Sequence, residues 1–234
     1  MEMVRSPWPV LDPPYDEPSY RSTALRAPKR PVLLLPHHLT ERHGPVLGQG
    51  RVAPGDSDLT RQGGGEPIGQ RIVVAGRVVG SDGRPVAGQL VEIWQANAAG
   101  RYAHSVDRHP APLDPNFTGV GRCTTGADGS YRFVTILPGA YPWANHDKAW
   151  RPAHIHFSLF GRAFTERLVT QMYFPGDPLQ AHDPILQAVR EPAARQRLIA
   201  SFDIGLTEGE WALGYRWDIA IGGRLGTPME GWWP

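Results

Sequence analysis

Proline and glycine punctuate this chain so densely that long helices are excluded over most of its length. They account for 51 of its 234 residues, 24 Pro and 27 Gly. Proline removes a backbone donor, and glycine inside an element costs backbone entropy. The chain must therefore be built of short elements joined by tight turns, which favours an all-β fold. The first 70 residues carry prolines at 7, 9, 13, 14, 18, 28, 31, 36, 45, 54 and 67, and Gly63-Gly64-Gly65 breaks the segment again. Such a stretch packs no core alone. Residues 1–70 read as an irregular arm lying on the domain or on a neighbouring subunit, with Trp8, Tyr15 and Tyr20 as anchors. His37, His38 and His43, beside a short helical candidate over Leu39 to His43, read as solvated loop histidines.

From Arg71 a β pattern takes over. Ile72 to Val79 is rich in β-branched residues, Ser81-Asp82-Gly83 is a turn, and Leu90 to Gln95 is the returning strand of an expected hairpin. Val120 to Thr125 and Tyr131 to Ile136 flank Ala127-Asp128-Gly129 as a second expected hairpin. His154 to Phe160 and Arg167 to Phe174 read as strands, and Pro184 to Ala200 mostly as helix. Tyr215, Trp217, Ile219 and Ile221 alternate with Arg216, Asp218 and Ala220, the pattern of a half-buried strand. About eight strands with one short helical excursion give a β-sandwich over residues 71–234.

Composition excludes several functions. The longest purely aliphatic run, Val32 to Leu35, is far too short to cross a bilayer. Met1 to Asp12 has no apolar stretch of the kind a secretory signal needs, so a cytoplasmic location is expected. A net charge of +1 leaves no footprint for nucleic acid or an acidic membrane surface. One cysteine, Cys123, excludes an internal disulfide and a thiolate metal cluster, and it reads as a small buried apolar residue.

The chemistry concentrates in Tyr141 to His156, YPWANHDKAWRPAHIH. On a strand His154 and His156 share a face, with Cα atoms roughly 6.5–7 Å apart, so two imidazoles can converge on one metal. No carboxylate stands out to complete a two-histidine facial triad: Glu166 and Asp177 are poorly spaced and Asp147 lies in a turn. That leaves phenol oxygens from Tyr102 and Tyr141. Ionising one phenol at pH 7 costs roughly 4 kcal/mol, and two roughly 8, with burial adding to it. Only a highly charged, hard cation offsets that, and ferric iron suits it better than zinc or ferrous iron. Spacing alone equally allows two ordinary strand-end tyrosines.

Five runs in order carry a resemblance: LVEIWQANAAGRY (Leu90 to Tyr102), LDPNFTGVGRC (Leu113 to Cys123), DGSYRFVTILPGAYPW (Asp128 to Trp143), WRPAHIHF (Trp150 to Phe157) and LVTQMYFPGDP (Leu168 to Pro178). Together they resemble the intradiol ring-cleaving dioxygenases, strongly over residues 68–222. Within that family the resemblance is to the iron-bearing β subunit of the branch acting on protocatechuate. It implies one non-haem Fe(III) per chain, held by Tyr102, Tyr141, His154 and His156. It places Arg151 beside the substrate ring, Gln171 near the iron, and Trp143 and Trp94 on the pocket wall, with Tyr141 also serving as a proton acceptor. The implied reaction cleaves a catechol with O2 between its two hydroxyl-bearing carbons, and a related α subunit is the implied partner in a hetero-oligomer. Ala103, where a basic residue is expected, and the turn ANHDKAW depart from the closest pattern and bear on the substrate. Hydroxyquinol is the alternative ring, and a non-catalytic β-sandwich subunit the alternative role. The helical N-terminal domain of the catechol 1,2-dioxygenases has no counterpart here.

Overall fold

The computed structural model describes residues 12–30, 52–161 and 167–230. Trp8, the His37, His38 and His43 group with its helical candidate, Val32 to Leu35, and Glu166 lie outside them. Eleven strands are formed among the described residues: β1 (Arg71–Gly80), β2 (Leu90–Trp94), β3 (Val120–Thr124), β4 (Ser130–Ile136), β5 (Tyr141–Pro142), β6 (Trp150–Arg151), β7 (His154–Phe160), β8 (Arg167–Tyr173), β9 (Ser201–Phe202), β10 (Leu213–Arg216) and β11 (Ile219–Ile221). Nine of them make two sheets. One runs β3-β2-β7-β8; in the other β1 pairs with β4, β10 and β11, and β9 extends β10. The sheets pack face to face. Ile72, Val74 and Phe133 of one meet Val91, Ile93, Ile155, Phe157 and Leu159 of the other, all essentially inaccessible to solvent. Phe133 and Phe157 meet edge to face at 5.8 Å, and Trp217 meets Phe157 at 4.8 Å, a geometry that adds to the burial of both rings. The chain is an all-β sandwich. Among the described residues no helix is long and apolar enough to cross a membrane.

Both expected turns exist, but neither makes the hairpin expected of it. Gly80 N–H donates to the Arg84 carbonyl (2.9 Å), and Gly83 takes a positive φ of 74°. Pairing then ends at the Val79–Pro85 bridge, and the chain crosses to the other sheet to form β2. Likewise Gly126 N–H donates to Ser130 O (2.8 Å), yet β3 joins β2 while β4 joins β1. The tight turns are corners of the sandwich. A strand apolar on both faces, such as Ile72-Val73-Val74-Ala75, needs neighbours on both edges and cover on both sides. β1 finds them in β4 and, in parallel, β10 and β11.

The last strand also differs from expectation. Its alternation holds, with Trp217, Ile219 and Ile221 buried and Arg216 and Asp218 exposed. Its ladder breaks between β10 and β11, where Trp217 N–H reaches Ala75 O (2.9 Å) and Asp218 accepts from Arg77 N–H (2.8 Å). The expected helix over Pro184 to Ala200 is two five-residue helices, α1 (Pro184–Ala188) and α2 (Pro192–Gln196). Glu191 precedes a proline, is held extended (ψ 117°) and caps the second helix with its carboxylate instead of continuing the first. Two parts of the first 70 residues meet the sandwich. Leu59 is fully buried in the main core, and Arg21 N–H donates to Asn145 O (3.1 Å). Cys123 is buried and free, and burial pushes its thiol up to about 12.

Candidate metal centre

Register places the site. β7 pairs with β2 and β8, setting Trp94 and Gln171 on either side of His156, and Tyr173 opposite His154. Side chains directly across a ladder share a face. The alternate residues Ile155 and Phe157 fill the core, so His154 and His156 stand on the outer face of this sheet. Their ring centroids are 4.8 Å apart, and Trp94 lies flat against His156 at 4.9 Å and 4°.

Two loops lay the tyrosines over this face. In the first, Asn97 Oδ1 accepts from the N–H groups of Ala99 and Arg101 (3.0 Å each), closing the turn before Tyr102. Asp107 Oδ2 then accepts from Tyr102 N–H (2.8 Å). In the second, β5 and β6 form a two-stranded ribbon that sets Tyr141 across from Arg151 and folds Pro138 to Lys148 back over the histidines. Glycines join the two loops. A Cβ on Gly100 (φ 76°) would lie 2.1 Å from Ala140 O, and one on Gly139 would lie 2.4 Å from Ala98 O. Only residues without a side chain allow this approach. Gly100→Ala is therefore expected to cost about 1–3 kcal/mol and to part Tyr102 from Tyr141. A urea unfolding curve with an unchanged midpoint would contradict this.

All four proposed ligands converge. Tyr102 Oη lies 3.2 Å from His156 Nε2, and Tyr141 Oη lies 3.3 Å from His154 Nε2. The tyrosine rings meet edge to face at 5.4 Å. Each histidine uses its other nitrogen elsewhere: Nδ1 of His154 is 2.7 Å from Pro152 O, and Nδ1 of His156 is 3.0 Å from Glu230 Oε2. With those acceptors each Nδ1 carries the proton and each Nε2 lone pair faces the tyrosines. Burial pushes the Tyr102 phenol well above its ordinary range, and Tyr141 adds to this. Burial also raises Tyr141, opposed first by the Arg151 guanidinium. Burial, then Arg151, then His156 hold His154 well below the ordinary imidazole range. The His154 imidazole is thus neutral, and the two phenols stay protonated unless a cation is present.

Arg151 is almost wholly buried beside them. Burial works against its charge, but Asp183, helped by Tyr141 and Tyr173, more than offsets this and raises its pKa well above the ordinary value. Its Nε and Nη2 donate to the two Asp183 oxygens (3.3 and 2.9 Å). Nη1 reaches Tyr141 Oη (3.3 Å) and His154 Nε2 (3.0 Å). Nη2 also donates to Gln171 Oε1 and Tyr173 Oη. Trp143 covers the guanidinium at 5.3 Å and is met by Tyr20 at 4.7 Å. The Gln171 Nε2 amide is buried without a hydrogen-bond partner. All eight residues singled out in the sequence thus fall in one place. Tyr173, Asp183 and Glu230 were not among them. Tyr173 was within reach, since it lies two residues from Gln171 on the same strand and so on the same face. Asp183 reads only as a helix cap before Pro184, and it is one: Oδ1 accepts from Ile185 N–H (3.2 Å). Of the other acids weighed, Asp177 accepts from Ala153 N–H (3.0 Å), and Asp147 is exposed and pairs with Arg21.

Among the described residues, no group of three or more His, Cys, Asp and Glu side chains is placed to hold a metal ion. A metal here would need the phenol oxygens. The donor set suits a hard, highly charged ion: two anionic oxygens once the phenols ionise, and two imidazoles already fixed in the ligating tautomer.

A family model described as "Dioxygenase" matches residues 43–223, and one described as "Protocatechuate 3,4-dioxygenase beta subunit N terminal" matches residues 13–38. The protocatechuate 3,4-dioxygenase beta chain of Burkholderia cepacia is 59% identical over 95% of each chain. The alpha chain of that enzyme from Pseudomonas putida is 30% identical over 83% of this chain and 96% of its own. Among solved structures, the dioxygenase domain of a carbohydrate-binding fusion from Streptomyces sp. SirexAA-E superposes with a TM-score of 0.51 at 28% identity, covering 76% of this chain and 97% of that one. The chain belongs to the intradiol ring-cleaving dioxygenases, a family that works with non-haem iron, and within it is similar to a beta chain of this kind over nearly its whole length.

Proposed function

We propose that this chain binds one Fe(III) through Tyr102, Tyr141, His154 and His156 and, with O2, opens protocatechuate between its two hydroxyl-bearing carbons to give 3-carboxy-cis,cis-muconate. The pairing of each phenol oxygen with an imidazole Nε2 carries the reading. The ferric ion, when bound, supplies the charge that ionises the phenols and makes the catechol ring reactive toward O2. The rest falls to side chains. Tyr141 Oη, beside Arg151, is placed to take a proton from a substrate hydroxyl. Arg151, held by Asp183, faces the ring and stabilises negative charge that develops on it, at no reorganisation cost because it is already fixed. Gln171 presents its unpartnered Nε2 as a donor at the reacting centre. Trp143 and Trp94 wall the pocket and exclude water.

A related α chain completes the assembly, as the names of the two relatives suggest by analogy. Part of residues 1–70 serves as an arm toward it, and a cytoplasmic location goes with this reading. Oxygen uptake with protocatechuate, by the chain with and without a co-produced α chain, tests the proposal. We expect one O2 consumed per substrate and uptake well above that with hydroxyquinol. No uptake in either preparation after iron loading, or preference for hydroxyquinol, would reject the assignment.

A further inference from the structure

We infer that Glu230 is a positioning residue for the iron, setting the tautomer and donor strength of His156 from outside the segment that matches the family model, which ends at residue 223. This rests on the iron reading above. The chain leaves β11 through two glycines of positive φ, Gly222 and Gly223, and doubles back. Thr227 ties it to the sheet, its N–H donating to Ala220 O (2.9 Å) and its hydroxyl accepting from Ala220 N–H (3.0 Å). It then runs along β8, the outer strand of the site-bearing sheet. Thr170 Oγ1 donates to Pro228 O (2.8 Å), and Glu230 N–H donates to Val169 O (2.6 Å). Those bonds aim the Glu230 side chain at His156. Its Oε2 lies 3.0 Å from Nδ1, with the two side chains only 8% and 9% exposed.

The two histidines are therefore not equivalent. Behind His154 stands a neutral carbonyl, Pro152 O, and behind His156 a carboxylate. An acceptor carrying full charge pulls the Nδ1 proton harder, raising the basicity of Nε2. The carboxylate also adds a negative charge close to a trivalent ion, favouring it over the divalent state. His156 is then the stronger of the two nitrogen donors. Among the described residues Glu230 has no other ion-pair partner, and a buried carboxylate is costly unless it is paired.

The test compares the full chain, co-produced with the α chain and loaded with iron, with its Glu230→Gln and Glu230→Ala variants. Iron retention against a chelator, the visible phenolate-to-iron band and the Fe(III)/Fe(II) potential are read, with unfolding of the iron-free proteins as the fold control. Loss of an outer partner of a metal ligand typically costs 10–100-fold in metal affinity. We expect a weakening on that order for Glu230→Ala and a smaller one for Glu230→Gln. In both the band should move and the potential should rise, because the charge is gone even where the amide keeps the contact. A parental band, potential and retention in both variants would overturn the inference while leaving the iron reading intact. So would equal loss of iron and of fold in both, with no shift in band or potential. A parent that takes up no iron overturns the reading itself, and this inference with it.

Discussion

Tyr102→Phe is expected to lower iron retention and turnover more than about 100-fold, beyond the usual cost of losing a partner one step removed from a metal. The ring stays, so packing against Tyr141 at 5.4 Å is kept. Only the oxygen 3.2 Å from His156 Nε2 is deleted. A bound trivalent ion would lose an anionic ligand that neutralises it and, in the proposed assignment, half of the oxygen donors. The fold should survive, since among the described residues no hydrogen bond to the phenol ties down backbone, and the iron-free variant should unfold with its parent. Iron content and steady-state oxygen uptake measure the effect. Unchanged uptake would remove Tyr102 from the ligand set.

Asp183→Ala should act through stability. The pair it forms with Arg151 is sealed from solvent, at 2% and 0% exposure of the two side chains. Removing one partner leaves a guanidinium that burial already disfavours, without its main counter-charge. Breaking such a pair typically costs 3–5 kcal/mol, and Tyr173 and Ile185 lose an acceptor as well. Urea unfolding of the iron-free chain measures this. Asp183→Asn, which keeps an acceptor oxygen, should cost less. A loss below about 1 kcal/mol for Asp183→Ala would show that Arg151 is held by its other contacts. Replacing both partners with apolar residues of similar volume should restore much of the stability but none of the activity, since Arg151 also reaches Tyr141.

Strand positions are legible because alternation and β-branched content are local signals: the alternating run His154 to Phe160 matches the observed bounds, and the β-branched run Ile72 to Val79 falls within a residue at each end. Strand partnership is not. Tight turns at Ser81-Asp82-Gly83 and Ala127-Asp128-Gly129 look the same in sequence whether they close a hairpin or turn a corner between sheets. The difference lies in which edge is free when the chain arrives. The break between Arg216 and Ile219 was equally hidden. It depends on Gly76 of β1, where a Cβ would come within 1.8 Å of Trp217 O. In the site, His154 and His156 stood out by spacing, whereas Tyr102 and Tyr141 needed the family resemblance. Their approach depends on two glycines in separate loops that no periodicity connects. Glu230 lies 74 residues from His156, and nothing local marks it.

The most direct test of the account is the visible spectrum and metal content of the purified, iron-loaded full chain. One iron per chain with a broad phenolate-to-Fe(III) band, giving a red-brown colour that weakens in both Tyr102→Phe and Tyr141→Phe, is the predicted result. A colourless protein that holds zinc or takes up no metal would contradict it.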